Sequence, residues 1–141
     1  MGRRDLKLDE YNITKLQYRE LHNFCLQYAD KKRRLADLRD PYRSPQITGL
    51  PHGSGAGDPT GKAAERAALL AQEVEMIEQT AIEAAREVKM PEEYQNILST
   101  VTSDVPLHFL QLLKGSCLTK YSYDKARRIF YYRLAQKRNF I

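Results

Sequence analysis

The sequence predicts an all-α protein: a long antiparallel, coiled-coil-like helical hairpin followed by a C-terminal three-helix module of helix-turn-helix type. Three observations predict it. Apolar residues recur at helical spacing over most of the 141 positions, and no segment alternates apolar and polar residues as a half-buried strand would. Ala67, Leu70, Val74, Ile77, Ala81, Ala84 and Val88 are spaced alternately three and four apart, the seven-residue period of a coiled-coil seam. Charge is segregated along the chain. Residues 1–43 carry 11 basic and 7 acidic side chains, residues 44–104 carry 4 and 10, and residues 105–141 carry 8 and 1. A short, all-helical C-terminal segment at +7 points to a polyanionic partner.

The first helix is expected from about Asn12 to Leu38, with Ile13, Leu16, Leu21, Phe24, Cys25, Tyr28, Leu35 and Leu38 on its apolar side. Lys31, Lys32, Arg33 and Arg34 interrupt that stripe and offer a phosphate contact or a solvated turn. Asp40-Pro41 stops the helix, because proline disfavours helical geometry in the residue before it, and residues 1–40 form the first segment. Residues 41–61 hold four prolines and five glycines, so nothing regular propagates through them. Asp58-Pro59 is a helix-start signal, an N-cap acid followed by proline at the first helical position.

A second long helix is expected from Pro59 to about Lys89. Within the segment 62–90, Leu70, Val74, Ile77, Ala81, Ala84 and Val88 are the seam for self-association or partner docking. The 3,4 spacing favours a coiled-coil arm over a globular core. Residues 91–141 form the DNA-binding module. Pro91 opens a helix through Val101, with Glu92 and Glu93 in its first turn. A short helix follows from Val105 to Leu113, ended by Gly115, and the last helix runs from Tyr121 to Lys137.

At 100° per residue, Tyr123, Ala126, Phe130 and Leu134 fall on one face of the last helix with Ile129 beside them, facing Val101, Leu107, Leu110 and Leu113. Tyr121, Lys125, Arg128 and Tyr132 fall on the other face, two cations and two phenols suited to a DNA major groove. Near the N-terminal end, Ser122, Asp124, Lys125 and Arg128 are the base-edge candidates. Arg133, Lys137 and Arg138 lie further along, where phosphate contact is expected. Seven of the 13 aromatics lie within residues 109–141, more than one helix face can bury, which adds to the nucleic-acid reading.

The loop from Arg43 through Ser-Pro-Gln-Ile-Thr-Gly-Leu-Pro-His-Gly-Ser-Gly-Ala-Gly-Asp-Pro-Thr-Gly to Lys62 resembles one in the RinA/ArpU-like late transcription regulators of phages and prophages of Gram-positive hosts. The ending is also similar, with Cys117 ahead of the last helix and Arg127-Arg128-Ile-Phe-Tyr-Tyr within it. The resemblance covers residues 43–66 and 115–137. It implies a sigma-factor-like C-terminal helix-turn-helix, double-stranded DNA as partner, regulation of phage gene expression and contact with host RNA polymerase. It carries Arg127 and Arg128 over as DNA contacts and carries no catalytic residue. One departure is Gly115-Ser116 before Cys117, where family members often have a Pro-Cys turn.

Other chemistries fit poorly. The string Gly53 to Lys62 has Ala56 where a phosphate-binding loop needs glycine, Ala63 where it needs Ser or Thr, and no preceding strand. His22, His52 and His108 are isolated, Cys117 lacks a nearby His and reads as a small buried residue of the turn, and the glutamates of the second helix read as a solvated face. The expectation is a non-enzyme without cofactor or metal. No apolar run approaches the ~18–20 residues of a membrane span, no secretory signal opens the chain, and two distant cysteines suit a reducing cytoplasm, with DNA binding placing the protein at the host nucleoid. The rivals are a small terminase subunit of DNA packaging, and a helical adaptor whose basic tail serves only solubility.

Overall fold

A computed structural model describes residues 6–39 and 59–141. Among the described residues all regular structure is helical: α1 (Lys15–Leu26), α2 (Tyr28–Arg39), α3 (Pro59–Glu87), α4 (Tyr94–Ser103), α5 (Leu107–Leu113) and α6 (Lys120–Lys137), with single 3-10 turns at Asp9–Tyr11 and Pro91–Glu93. No described helix is long and apolar enough to cross a membrane. Most of the Gly/Pro-rich stretch 41–61, including the Asp58 cap, lies outside the described residues.

The single first helix expected from Asn12 to Leu38 is two helices. Asn12 adopts a left-handed conformation (φ 60°) that closes the Asp9–Tyr11 turn and tucks Leu8 and Ile13 into the core, so helix formation waits for Thr14. There the Thr14 hydroxyl accepts from the Gln17 N–H and the Gln17 side chain accepts from the Thr14 N–H, a reciprocal cap. At Gln27 the backbone N–H turns back to Phe24 O (3.4 Å), a tighter turn that ends α1 and redirects the chain. α1 then packs on α4 and α6, while α2 runs along α3. Periodicity alone could not register this break, because the apolar stripe continues through it.

The seam of the second helix is also corrected. Val74, Ile77, Ala81 and Ala84 are buried, with Leu70 and Val88 half-buried, and what covers α3 is the chain itself: α2, α4 and α6. A seven-residue repeat states that a helix buries one stripe, not which helix covers it. In this fold the central seam residues are core rather than a free self-association surface. Leu8, Leu21, Ile77, Ile97, Val101, Phe130, Tyr131 and Leu134 belong to one continuous cluster, so residues 91–141 share their core with α1 and α3.

The basic block Lys31–Arg34 is divided by burial. Lys31 is 8% exposed, donates to Glu73 Oε2 at 3.0 Å and stands over the Phe24 ring at 3.8 Å. Its charge ties α2 to α3 and is unavailable to phosphate. Arg33 and Arg34 both pair with Asp30.

The C-terminal elements keep their predicted order with shifted edges. Pro91–Glu93 is a separate 3-10 turn before α4, and α5 starts at Leu107 after an extended Pro106. Val105 O instead accepts from the Thr100 and Tyr123 hydroxyls, tying the α4–α5 connection to α6. Leu113, expected to pack on the last helix, is 66% exposed, because α5 attaches through Leu110 and Leu107. Cys117, expected to be buried, is exposed, and it is its backbone that is held.

That hold is the work of Glu93, only 4% exposed. Its carboxylate accepts from the Cys117 N–H (2.7 Å), the Ser116 hydroxyl (2.8 Å) and the Asn96 amide (2.7 Å), and the Ser116 oxygen in turn accepts from the Leu118 N–H. Gly115 supplies the reversal with φ +62°, a conformation a side chain strains even where, as here, its Cβ would meet nothing. Burial pushes the Glu93 carboxyl up, but the hydrogen bonds from Asn96, Cys117 and Ser116 outweigh it and leave it below its ordinary value.

Two outcomes follow for equilibrium denaturation. Glu93→Ala leaves buried donors unpaired and is expected to cost about 2–4 kcal/mol, whereas Gly115→Ala costs about 1–2 kcal/mol through backbone strain alone. Because the folded carboxyl titrates below the unfolded one, the stability Glu93 contributes is present above the usual carboxylate range and is lost as pH falls through its folded value. A Glu93→Gln variant should therefore show a flatter loss of stability on acidification than wild type.

Candidate nucleic-acid interface

α6 begins at a second reciprocal cap. The Thr119 hydroxyl accepts from the Ser122 N–H at 3.2 Å, and the Ser122 hydroxyl accepts from the Thr119 N–H at 2.8 Å. Ser122 is thus occupied in starting the helix, which corrects its expected role at a base edge. From this cap α6 runs 18 residues, burying the predicted inner face of Tyr123, Ala126, Ile129, Phe130 and Leu134 together with Tyr131 and Ala135.

The cations of α6 divide by position. At the C-terminal half, Arg133 donates to Glu83 (3.1 Å) and to Glu87, and Lys137 donates to Glu83 (2.6 Å) and to the Thr80 hydroxyl (3.0 Å). This pairing sets α6 antiparallel along α3. Burial pushes Glu83 up, but the hydrogen bond and charge of Lys137, joined by Arg133, outweigh it and hold the carboxyl below its ordinary value. The hydrogen bond that Arg133 donates to Glu87 pushes the guanidinium above its ordinary value. Arg138 lies over the Phe24 ring at 3.9 Å, opposite in sequence to Lys31 on the same ring. The expectation that Arg133, Lys137 and Arg138 touch phosphate is therefore corrected: the acidic face of α3, read from sequence as solvated, neutralises two of them.

Arg127 is also engaged inside the molecule. Its side chain is 12% exposed, 3.8 Å from Asp124 and 5.3 Å over the Tyr123 ring. Tyr132, expected on the open face, is half-buried and stacks on Tyr11 at 4.7 Å. Burial pushes the Tyr11 phenol above its ordinary value.

What remains outward is the N-terminal end. Tyr121 is 74% exposed, with the Lys125 ammonium 5.7 Å from its ring centre, and Arg128 is half-buried on the same row one turn on. Lys120, next to Tyr121 at the start of α6, and Lys114 just after α5 are exposed, and sequence reasoning named neither. Their signal was available in the absence of any acidic residue between Val105 and Tyr123. Asp124, half-buried beside Arg127, is the single acidic residue of the segment.

The aromatic surplus has a structural explanation that the sequence concealed. Phe130 and Tyr131 are buried, Tyr131 meets Tyr18 of α1 edge-on at 5.0 Å, and its phenol lies 3.2 Å from His22 Nδ1. His22 Nε2 in turn faces Asp104 at 3.5 Å, so one side chain ties α1 to both α4 and α6. Burial pushes the Tyr131 phenol well above its ordinary value, so it stays protonated and structural. Tyr131 and Tyr132 thus serve the joint with the N-terminal segment, and Tyr123 the joint with α4. Among the described residues no cluster of His, Cys, Asp or Glu is placed to hold a metal ion.

The Glu83 pairing makes a pH-resolved prediction. Glu83→Gln should lower stability at neutral pH by about 0.5–1 kcal/mol for each half-exposed ion pair lost. The folded carboxyl titrates below the unfolded one, so the difference from wild type is full above the usual carboxylate range and closes as pH falls through the folded value. Thermal melts of both proteins across that range measure it.

Compared with protein-family models, with characterised proteins and with solved structures, the chain finds no match, so the reading of this interface stands on its own residues.

Proposed function

We propose that the chain is a sequence-specific DNA-binding protein, with α5, the 114–119 turn and α6 acting as a helix-turn-helix whose reading end is the N-terminal half of α6. The observation that carries this reading is the division of cations along α6. Arg133 and Lys137 are consumed by Glu83 and Glu87, whereas at the opposite end Lys120, Tyr121 and Lys125 are exposed and Arg128 is half-buried. A basic helix end that leads with exposed cations and a phenol suits insertion into the major groove, where Arg chelates the acceptor edge of guanine. Lys114 on the turn and Lys120 at the start of α6 are suited to phosphate.

The like charge of α3 keeps that helix away from DNA and fits it to holding α6. With the RinA/ArpU resemblance of the loop and the last helix, the proposed biological role is control of phage or prophage transcription, with host RNA polymerase as a further partner. Self-association would use surfaces other than the seam from Val74 to Ala84, which the chain itself buries.

The test is a selection of bound fragments from phage and host DNA, followed by salt-titrated affinity for the enriched site. Arg128→Ala is expected to cost about 1–3 kcal/mol on that site and to relax its sequence preference. Lys120→Ala should weaken all sequences alike and reduce the salt slope by about one. Arg133→Ala should lower stability and leave affinity unchanged. Equal affinity of wild type and Arg128→Ala, or enrichment only of a packaging-start region, would remove the transcriptional reading.

A further inference from the structure

α5 carries an apolar stripe on its outward side. Phe109, Leu112 and Leu113 are 49%, 80% and 66% exposed, while Leu110 is fully buried and anchors the helix. Spaced i, i+3, i+4, the three lie on one face of the helix. The fold does not require them to be apolar, since the attachment of α5 runs through the other side. Three large apolar residues gathered outward on seven positions are the kind of surface that marks an interaction site.

Charge decides what would cover it. Lys114 follows Leu113 directly, Lys120 lies just beyond the turn, both are exposed, and no acidic residue occurs from Val105 to Tyr123. A second copy presenting the same face would set lysine against lysine, which disfavours a two-fold contact. The ridge spacing matches the groove of a helix, and three side chains offer little area to a bilayer. We propose that the outward face of α5 docks an acidic amphipathic helix of another protein, its leucine-type ridge on Phe109, Leu112 and Leu113 and its carboxylates toward Lys114 and Lys120. This inference rests on the exposed face of α5 rather than on the DNA reading, with Lys114 and Lys120 shared between the two.

The chain contains no tryptophan, so a probe peptide with a single Trp reports binding without interference. The probe is a designed helical peptide of about 18 residues, long enough to hold helix in water, with leucines at i, i+3, i+4, i+7 and glutamates flanking them. Full-length protein should give a saturable blue shift of the peptide Trp. Leu112→Ser combined with Leu113→Ser, at positions exposed enough to spare the fold, should weaken binding about tenfold or more. Lys114→Glu should weaken it as well, while the circular dichroism melt of each variant stays that of wild type. No binding of the peptide, equal binding of its scrambled form, or equal binding of a form with lysine for glutamate would overturn the proposal. So would two other results: a dimer seen by sedimentation that the double variant abolishes, or binding to phosphatidylglycerol vesicles in place of the peptide. DNA affinity of the double variant, measured separately, should match wild type, so failure here and failure of the DNA reading remain distinct.

Discussion

The close antiparallel contact of α3 with α6 is the constraint on which the rest of the molecule depends. Ala81, Ala84 and Ala85 on one helix and Ala126 and Ala135 on the other are fully buried. These alanines belong, with Ile77, Phe130 and Leu134, to the one continuous buried cluster that the two helices share. Burial of this apolar surface supplies the stability. The ion pairs above it are about a third exposed, and pairs of that kind contribute only about 0.2–1 kcal/mol each. Their contribution is to register: Arg133 bonds to both Glu83 and Glu87, one turn apart on α3, and Lys137 to Glu83, so a slide of α6 along α3 would break part of this set.

Much of the architecture was legible in the sequence, and the reasons it was legible are local. The inner face of α6 follows from 3.6-residue periodicity, the end of α5 follows from Gly115, and the all-helical class follows from the absence of alternating patterns. What was not legible is which partner each face takes. The α3 repeat describes a buried stripe equally well whether a second chain or α6 covers it. The acidic run of α3 and the basic run of α6, read separately, look like a solvated face and a polyanion site. Brought together they cancel over half their length, leaving Lys120, Lys125 and Arg128 as the net positive end. The site was therefore only partly readable, since pairing between residues 50 positions apart has no local signature.

The break at Gln27 and the buried Glu93 have related consequences. One separates α1, which packs on α4 and α6, from α2, which runs along α3, so that His22 and Tyr18 of α1 reach α6 and Phe24 reaches Arg138 just past its end. The other holds the 116–118 backbone against the start of α4, which fixes the direction in which α6 leaves the turn. A glutamate in a first helical turn reads from sequence as a favourable charge beside the helix dipole. Two of its three donors, Ser116 and Cys117, lie some two dozen residues downstream and converge with Asn96 on one carboxylate.

The two cysteines stand in opposite circumstances. Cys25 is fully buried, and burial pushes its thiol far above the range in which a thiolate forms, whereas Cys117 is exposed on the turn that leads into α6. The chain thus carries one accessible thiol, placed beside its basic end without any engineering. A maleimide dye would attach there alone and report from beside α6. The same sulfur would also join two chains covalently under air, producing a dimer unrelated to any native interface, so purified material has to be kept reduced.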